Sequence, residues 1–408
     1  MYAGATPHGG TLMSEAIKRT VTQHIDSIAE ELLRVSHAIH AKPELAFAEH
    51  HACALLCNTV AAAGLPVRRS VYGLATAFES EWKAPAPGPR LALLAEYDAL
   101  PGIGHACGHN LIATSALGAA LGLAAVRDRL CGTVRLLGTP AEEKGGGKEL
   151  MARAGAFDGV DAAMMMHPSG INLTTMPCIC VAEVRVEYHG RAAHASAMPH
   201  RGINALDALL LGYQAISNLR QHIQATERIH GIVTDGGMAP NIVPDFAAGD
   251  FYVRAATVEA LSALKPRAQA CFEGAAKASG CTVEVRWAGV DYLDLNTNWP
   301  LAARFQRNAE ALGRTFFPLE KLPAGSSGST DMGNVSYRVP SIHPMLAAAP
   351  SNVVIHHPDF ATWAGSEMGD AAALDGAKAL AMTAVDYLTD AALQQECERA
   401  FAVSVGLS

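Results

Sequence analysis

The segment 93–118, LLAEYDALPGIGHACGHNLIATSALG, places Glu96, Asp98, His105, Cys107 and His109 just beyond a strand-like apolar run. Thiolate and imidazole together suit zinc or another borderline transition metal. The tripeptide His-Ala-Cys occurs twice. At 51–53 it lies in EHHACALLCNTVAAAG, whose apolar residues recur every three or four positions, and it reads as amphipathic helix. At 105–107 the surrounding Pro101, Gly102, Gly104 and Gly108 interrupt any helix. That spacing predicts an extended segment with Cys107 and His109 on one side. Further donors lie elsewhere. Glu142 and Glu143 follow a strand in LLGTPAEEKGGG. Adjacent carboxylates repel unless a cation separates their roles, one binding metal while its neighbour acts as a general base. His167 closes the run AAMMM, and Pro168, Ser169 and Gly170 mark the rim of the strand. The strand-like SNVVI runs into His356 and His357, whose side chains diverge in an extended chain, so only one can face the same metal.

These residues need a scaffold that brings distant segments together. Residues 14–40 predict one long helix with Ile17, Val21, Ile25, Ile28, Leu32 and Val35 on a stripe. RLALLAEYD predicts a buried strand, and NLIATSALGAALGLAAVRDRL an Ala-rich helix opened by GHN. GTVRLLGTPAEE predicts the next strand, followed by the glycines at 145–147 and a helix from about Lys148. VDAAMMMHPSG predicts a third strand, ending in His167. This alternation gives an α/β fold with a mixed, mainly parallel sheet flanked by helices. Ligands of such sheets bind beyond the carboxyl ends of the strands, where Asp98, Glu142, Glu143 and His167 fall. From 181 onward the pattern changes to a β-α-β-β-α-β order with strictly alternating strands, an inserted α+β, ferredoxin-like module. Residues 1–180 and 296–408 then form the metal-binding catalytic domain and 181–295 the insertion. Cys178-Ile179-Cys180 reads as the entry to a strand.

A chain of 408 residues is long enough for two domains, and its net charge of −8 disfavours nucleic acid as a partner. No stretch reaches the roughly 20 apolar residues of a membrane helix. Nine cysteines behind an N-terminus without an export signal read as reduced thiols in a cytoplasm.

Taken together, DALP with HACGHN, then PAEE, MMHP, GRAAHA and IHHPDF, resemble the M20 metallopeptidase and amidohydrolase family. The similarity points to its branch of aminobenzoyl-glutamate hydrolases, auxin-conjugate amidohydrolases and M20-domain dipeptidases, and spans roughly residues 30–365. The resemblance implies a catalytic domain with one or two divalent metal ions, zinc or manganese, and an inserted lid that commonly makes homodimers. It implies Cys107, His109, Glu143, His167 and His356 as ligands, with His357 as the alternative to His356. It makes Glu142 the general base and Asp98 the acid that orients a ligand. Where many members carry a ligating histidine, this chain has Glu96. In the lid, His194 matches an oxyanion donor often contributed across the dimer. Asn241 in MAPNIVPD and Arg254 in FYVRA match residues that hold a substrate carboxylate. Ser329 and Thr330, followed by Asp331, match a pocket-lining segment and would also cap the next helix.

The expected protein is a cytoplasmic, metal-dependent amidohydrolase. It would cleave a small N-acyl or N-aroyl amino acid or a dipeptide with activated water, without nucleic acid or membrane partners. Two other outcomes compete. The same water could displace an amine from an activated aromatic ring, giving a deaminase. A non-catalytic binding paralogue is the other, against which the presence of Glu142 argues. Cys107 as a nucleophile would require a base and an oxyanion pocket that the sequence does not supply.

Overall fold

The computed structural model describes residues 8–323 and 325–406. The chain divides into two compact units. One comprises residues up to Pro177, Leu295–Ser326 and the chain from Asp331 onward; the other comprises Cys178–Asp294 with Ser327–Thr330.

The first unit opens with α1 (His8–Ser27), α2 (Ala29–Ala41) and α3 (His50–Ala62). Ile17, Val21, Ile25, Leu32, Val35 and Ile39 form one buried stripe. The expected single helix over 14–40 is interrupted at Ile28, where φ is −108°. The Ile28 N–H is shared between the carbonyls of His24 and Ile25, and the apolar face continues across the break. The first His-Ala-Cys copy lies at the start of α3, with Cys53 buried in the helix core.

The main sheet contains β1 (Arg68–Arg69), β2 (Phe78–Lys83), β3 (Ala86–Ala95), β4 (Cys131–Gly138), β5 (Ala162–Met164) and β11 (Ser341–Ile342). Their order is β1-β2-β4-β3-β5-β11. The central strands are parallel, with Leu93 opposite both Leu136 and Met164. β1 and β2 add an antiparallel edge. Parallel strands are covered on both faces, which is why Leu91–Ala95 reads as a continuous apolar run and is wholly buried.

Helix α4 (His109–Ala125) returns from β3 toward β4, and every residue from His109 to Leu123 is buried. A helix apolar on all sides belongs in the middle of a layer. It packs beside α11 (Glu367–Thr389) at glycine: a Cβ on Gly118 would lie 2.8 Å from that of Ala377. On the opposite face α5 (Gly147–Arg153) and α9 (Met332–Ser336) join a second apolar cluster containing Met151, Phe157, Met332 and Val335.

The predicted strand ending in His167 is in fact two. Met165 and Met166 leave the sheet, and His167 begins β6 (His167–Ser169), which pairs in parallel with β12 (Met345–Ala347). The predicted strand before His356 is absent; residues 350–357 form turns leading into α10 (Pro358–Ala364).

The second unit runs β7 (Cys180–His189), α6 (Ala205–Leu219), β8 (Arg228–Asp235), β9 (Phe246–Ala255), α7 (Val258–Ser279) and β10 (Thr282–Trp287). Its antiparallel sheet has the order β10-β7-β9-β8. In β7, Ala182, Val184, Val186 and Tyr188 are buried while Glu183, Arg185 and Glu187 between them are half-exposed, the alternation of a sheet covered on one side. Tyr188, Phe251 and Phe272 anchor that core. Asn204 and Thr257 cap α6 and α7 through their side chains, and Gly280 at φ +79° ends α7. Val181 and Tyr292 exchange backbone hydrogen bonds of 2.9 Å, which close the unit where the chain enters and leaves it.

Candidate active site

The carboxyl end of β3 delivers Glu96 and Asp98, both buried. Asp98 accepts from His109 Nδ1 at 3.0 Å through one oxygen and from the Glu143 N–H at 2.9 Å through the other. Burial opposes its ionisation, yet the facing imidazole and these hydrogen bonds hold the Asp98 carboxyl below its ordinary range. With its Nδ1 proton given to Asp98, His109 presents Nε2 as its one lone pair.

Cys107 and His109 do come together, by a route other than the expected extended strand. Residues 105–107 turn, Gly108 adopts φ +74°, and His109 begins α4. A Cβ on Gly108 would lie 2.6 Å from Pro168 Cγ, so position 108 between the two donors admits only glycine. His105 turns away from the cluster and stacks on His40 at 6.2 Å.

The other donors arrive on their own loops. After β4 the chain passes through Ala141 at φ +62°, whose N–H is held by Glu49 at 2.9 Å, and this kink presents Glu142 and Glu143. A left-handed non-glycine residue costs on the order of 1–3 kcal/mol and persists where the surroundings over-determine it. His167 faces its own Pro168 carbonyl through Nδ1 at 2.7 Å and turns Nε2 to within 3.4 Å of Cys107 Sγ. Burial pushes the His167 pKa down to about 3, which keeps the imidazole neutral. His356 is also left-handed, at φ +64°; its N–H bonds the Ala106 carbonyl at 2.9 Å, and its Nε2 lies 3.4 Å from Glu143 Oε1. His357 instead caps α10, accepting the Asp359 N–H at 3.3 Å.

Donor atoms of Cys107, His109 and His167 lie within 4.8 Å of one another, as do those of Cys107, Glu143 and His356, and those of Glu96, His109 and Glu142. His109 Nε2 and Glu143 Oε1 are buried with no hydrogen bond among the described residues. Buried polar atoms left without partners and aimed at one another are the signature of a group that binds between them. Burial, then the nearby Glu96 and Glu143, push the Glu142 pKa up. Burial likewise raises the Cys107 thiol, and a divalent ion would reverse that preference. The donor set of thiol, imidazoles and carboxylate fits a divalent transition metal ion.

Three neighbouring residues were not among the predicted ligands or catalytic groups. Lys148 is wholly buried, ion-paired with Glu96, and 2.6 Å from Asp331 Oδ1. Asp331 Oδ2 accepts the Lys148 N–H at 2.8 Å, and the Asp331 side chain makes no cap bond to α9. This corrects the expected capping by Asp331. His343 is buried with its ring edge-on to His167 at 5.4 Å. The KGGGK spacing and the SIHP segment were the only hints of Lys148 and His343.

In the second unit, His194 is exposed; its Nδ1 accepts the Ala197 N–H at 3.3 Å. Asn241, also exposed, lies on the adjoining turn, where its carbonyl accepts the Ala195 N–H at 3.0 Å. Arg254 on β9 reaches Ser329 Oγ at 3.1 Å and His230 Nε2 at 3.3 Å, and its guanidinium lies over the Tyr252 ring. Ser329 in turn donates to the Ile179 carbonyl at 2.7 Å, and Thr330 beside it is buried. His230, directly opposite Tyr252 in the strand register, is a further residue that the sequence reading missed.

The model of the M20/M25/M40 peptidase family matches residues 92–385. The chain belongs to that family. It is 42% identical over 401 residues to the Xaa-Arg dipeptidase of Mus musculus, an alignment covering 95% of this chain and 92% of the relative. It is 28% identical to a subunit of the p-aminobenzoyl-glutamate hydrolase of Escherichia coli, over 94% of this chain and 95% of that one. A Bacillus subtilis structure described as a dinuclear metal-binding peptidase from the M20 family superposes with a TM-score of 0.68 at 23% identity, covering 89% and 99% of the two chains. As an M20 protein this chain is an enzyme, a hydrolase of the peptidase and amidohydrolase type. Among the described residues, no helix of this M20 hydrolase is long and apolar enough to cross a membrane.

For this M20 site, Asp98→Asn is expected to keep the fold and weaken divalent-metal affinity or turnover by about 10–100-fold, because the amide no longer fixes the His109 tautomer. Titration with manganese or zinc, followed by calorimetry, measures it.

Proposed function

We propose that this chain is a metal-dependent dipeptidase or amidohydrolase that releases an amino acid from a small dipeptide or N-acyl amino acid. The observation that carries the reading is the convergence of Cys107, His109, Glu143, His167 and His356, from separate segments, on a pair of donor clusters sharing Cys107. Those five residues would hold one or two divalent ions, zinc or manganese. A bound ion supplies polarisation of the scissile carbonyl and lowers the pKa of its water from about 15.7 toward about 7. Glu142, buried beside His109, takes the water's proton and returns it to the departing amine. Asp98 fixes the tautomer of His109. In the inserted unit, which acts as the lid, His194 donates to the developing oxyanion. Arg254, Ser329, Thr330 and Asn241 receive the substrate carboxylate, with the guanidinium aimed by His230 and Tyr252. Lid closure favours small substrates.

The similarity to an Xaa-Arg dipeptidase over most of both chains favours dipeptides with a basic C-terminal residue as the first substrates to test. The decisive assay offers such dipeptides, N-acyl amino acids and aminobenzoyl-glutamate with zinc or manganese supplied in turn. Release of a free amino acid is the expected result. Ammonia without an amino acid would identify a deaminase, and no product from any substrate would favour a binding paralogue.

The reading includes a homodimer through the inserted unit. β8 is an edge strand, and Ile232 on it and Leu210 on α6 are 65% and 51% exposed. A bare strand edge flanked by apolar side chains is a pairing surface. Light scattering on wild-type protein is expected to give a dimer, and Ile232→Lys with Leu210→Glu a monomer; an already monomeric wild type removes this part of the proposal. The nine free thiols support a reducing, cytoplasmic setting.

A further inference from the structure

Donor atoms also converge at Glu96, His109 and Glu142. By residue type alone this third cluster resembles a cation site, but a cation of the chain already stands there. The Lys148 ammonium, fully buried, contacts Glu96 Oε1 and lies 2.6 Å from Asp331 Oδ1. Its backbone N–H is held by the same aspartate at 2.8 Å. A lysine tethered at both its backbone and its side chain cannot swing out to admit an ion. Glu96 Oε2 points the other way, 3.5 Å from His109 Nε2. As a ligand, His109 can offer only one lone pair, on Nε2, because Nδ1 faces Asp98 at 3.0 Å. That lone pair can serve the Cys107 cluster or the Glu96 cluster, not both. A divalent ion on Glu96 Oε2 would have to share this one carboxylate with the ammonium on Oε1.

We propose that Lys148 is the resident cation of the Glu96 cluster: a positioning residue that keeps Glu96 from ligating metal and leaves His109 Nε2 to the cluster of Cys107 and His167. The inference rests on the metal-dependent reading above and deepens it by assigning where ions do not bind. The ion pair would then form a fixed wall of the site.

The test is metal content per folded chain by elemental analysis after equilibration with manganese or zinc, in wild type, Glu96→Gln, Lys148→Met and the double variant. Glu96→Gln is expected to bind as many ions as wild type, with the same dissociation constant. Lys148→Met is expected to take up one further ion, and the double variant to return to the wild-type count. Removing one partner from a buried ion network is costly, so if Lys148→Met does not fold, Glu96→Gln, which keeps its contact to the ammonium, decides alone. Loss of one ion in Glu96→Gln, or a folded Lys148→Met with unchanged metal content, overturns the proposal. Wild type that binds no divalent ion defeats the metal-dependent reading itself, whereas wild type that binds ions and loses one in Glu96→Gln defeats only this inference.

Discussion

Glu142→Gln is expected to leave the protein folded and its metal content unchanged while kcat/KM on the best dipeptide falls by about 10²–10⁴-fold, the range that general acid–base catalysis contributes. The substitution keeps shape and one carbonyl oxygen but removes the ability to take a proton. Its placement makes the consequence specific. Glu142 is 7% exposed, with burial and the neighbouring Glu96 and Glu143 carboxylates raising its proton affinity. A carboxylate whose pKa is brought upward toward working pH is a better proton acceptor than one in water. Glu143 Oε1 lies 3.4 Å from His356 Nε2 and its N–H is on Asp98, contacts that Glu142 does not share. The proposed division of the two adjacent acids into a base and a ligand rests on this difference. Steady-state kinetics, thermal melting and metal analysis on the same preparation check this. Turnover equal to wild type removes Glu142 from the chemistry; loss of metal makes it a ligand instead.

The second large effect is expected from chelation. Exhaustive dialysis against a chelator should abolish turnover and lower the melting temperature, and readdition of zinc or manganese should restore both. Glu96, Asp98, Glu142 and Glu143 crowd around one imidazole, and Lys148 is the single lysine ion-paired within that group among the described residues. Withdrawing divalent charge leaves the carboxylates to repel and the buried His109 Nε2 without a hydrogen bond among the described residues. An ion present at about 1,000 times its dissociation constant stabilises the folded state by about 4 kcal/mol. For a unit larger than about 250 residues each kcal/mol moves the midpoint by roughly 1–2 °C, so calorimetry with and without chelator resolves the loss. Unchanged turnover in metal-free protein would end the proposed mechanism.

The donor residues were legible because their types are rare on a strand rim, and because a parallel sheet concentrates function at one end of its strands. Their backbone was harder to read. Cys-x-His suggested simple alternation, but Gly108 takes a left-handed turn and α4 begins at His109. The β-branched run before His356 suggested a strand, yet Val354 is 63% exposed and no neighbouring strand offers the run its hydrogen bonds. The choice between His356 and His357 was not readable from spacing, since it depends on His356 adopting positive φ and on His357 serving as a helix cap. Lys148 and Asp331 stand 183 positions apart and looked like the first residue of a helix and a helix cap. Only the folded core shows that each neutralises the other. In the insertion, the alternation in β7 was plain in the sequence, but the contribution of Ser327–Thr330 was not. That contribution rests on the backbone bond from Ile179 to Gly328, 2.9 Å long.

The interrupted layout of the first unit has a consequence for synthesis on the ribosome. Its central helix α4 is closed over by α11, so residues near 118 wait for residues near 377. The inserted unit draws its core from residues 180–281, a continuous stretch. As the chain emerges, the middle segment can complete its own fold while the earlier third is still exposed. Arrested nascent chains ending near residue 330 should therefore yield a protease-resistant fragment from the centre of the sequence, with the older, N-terminal portion digested away.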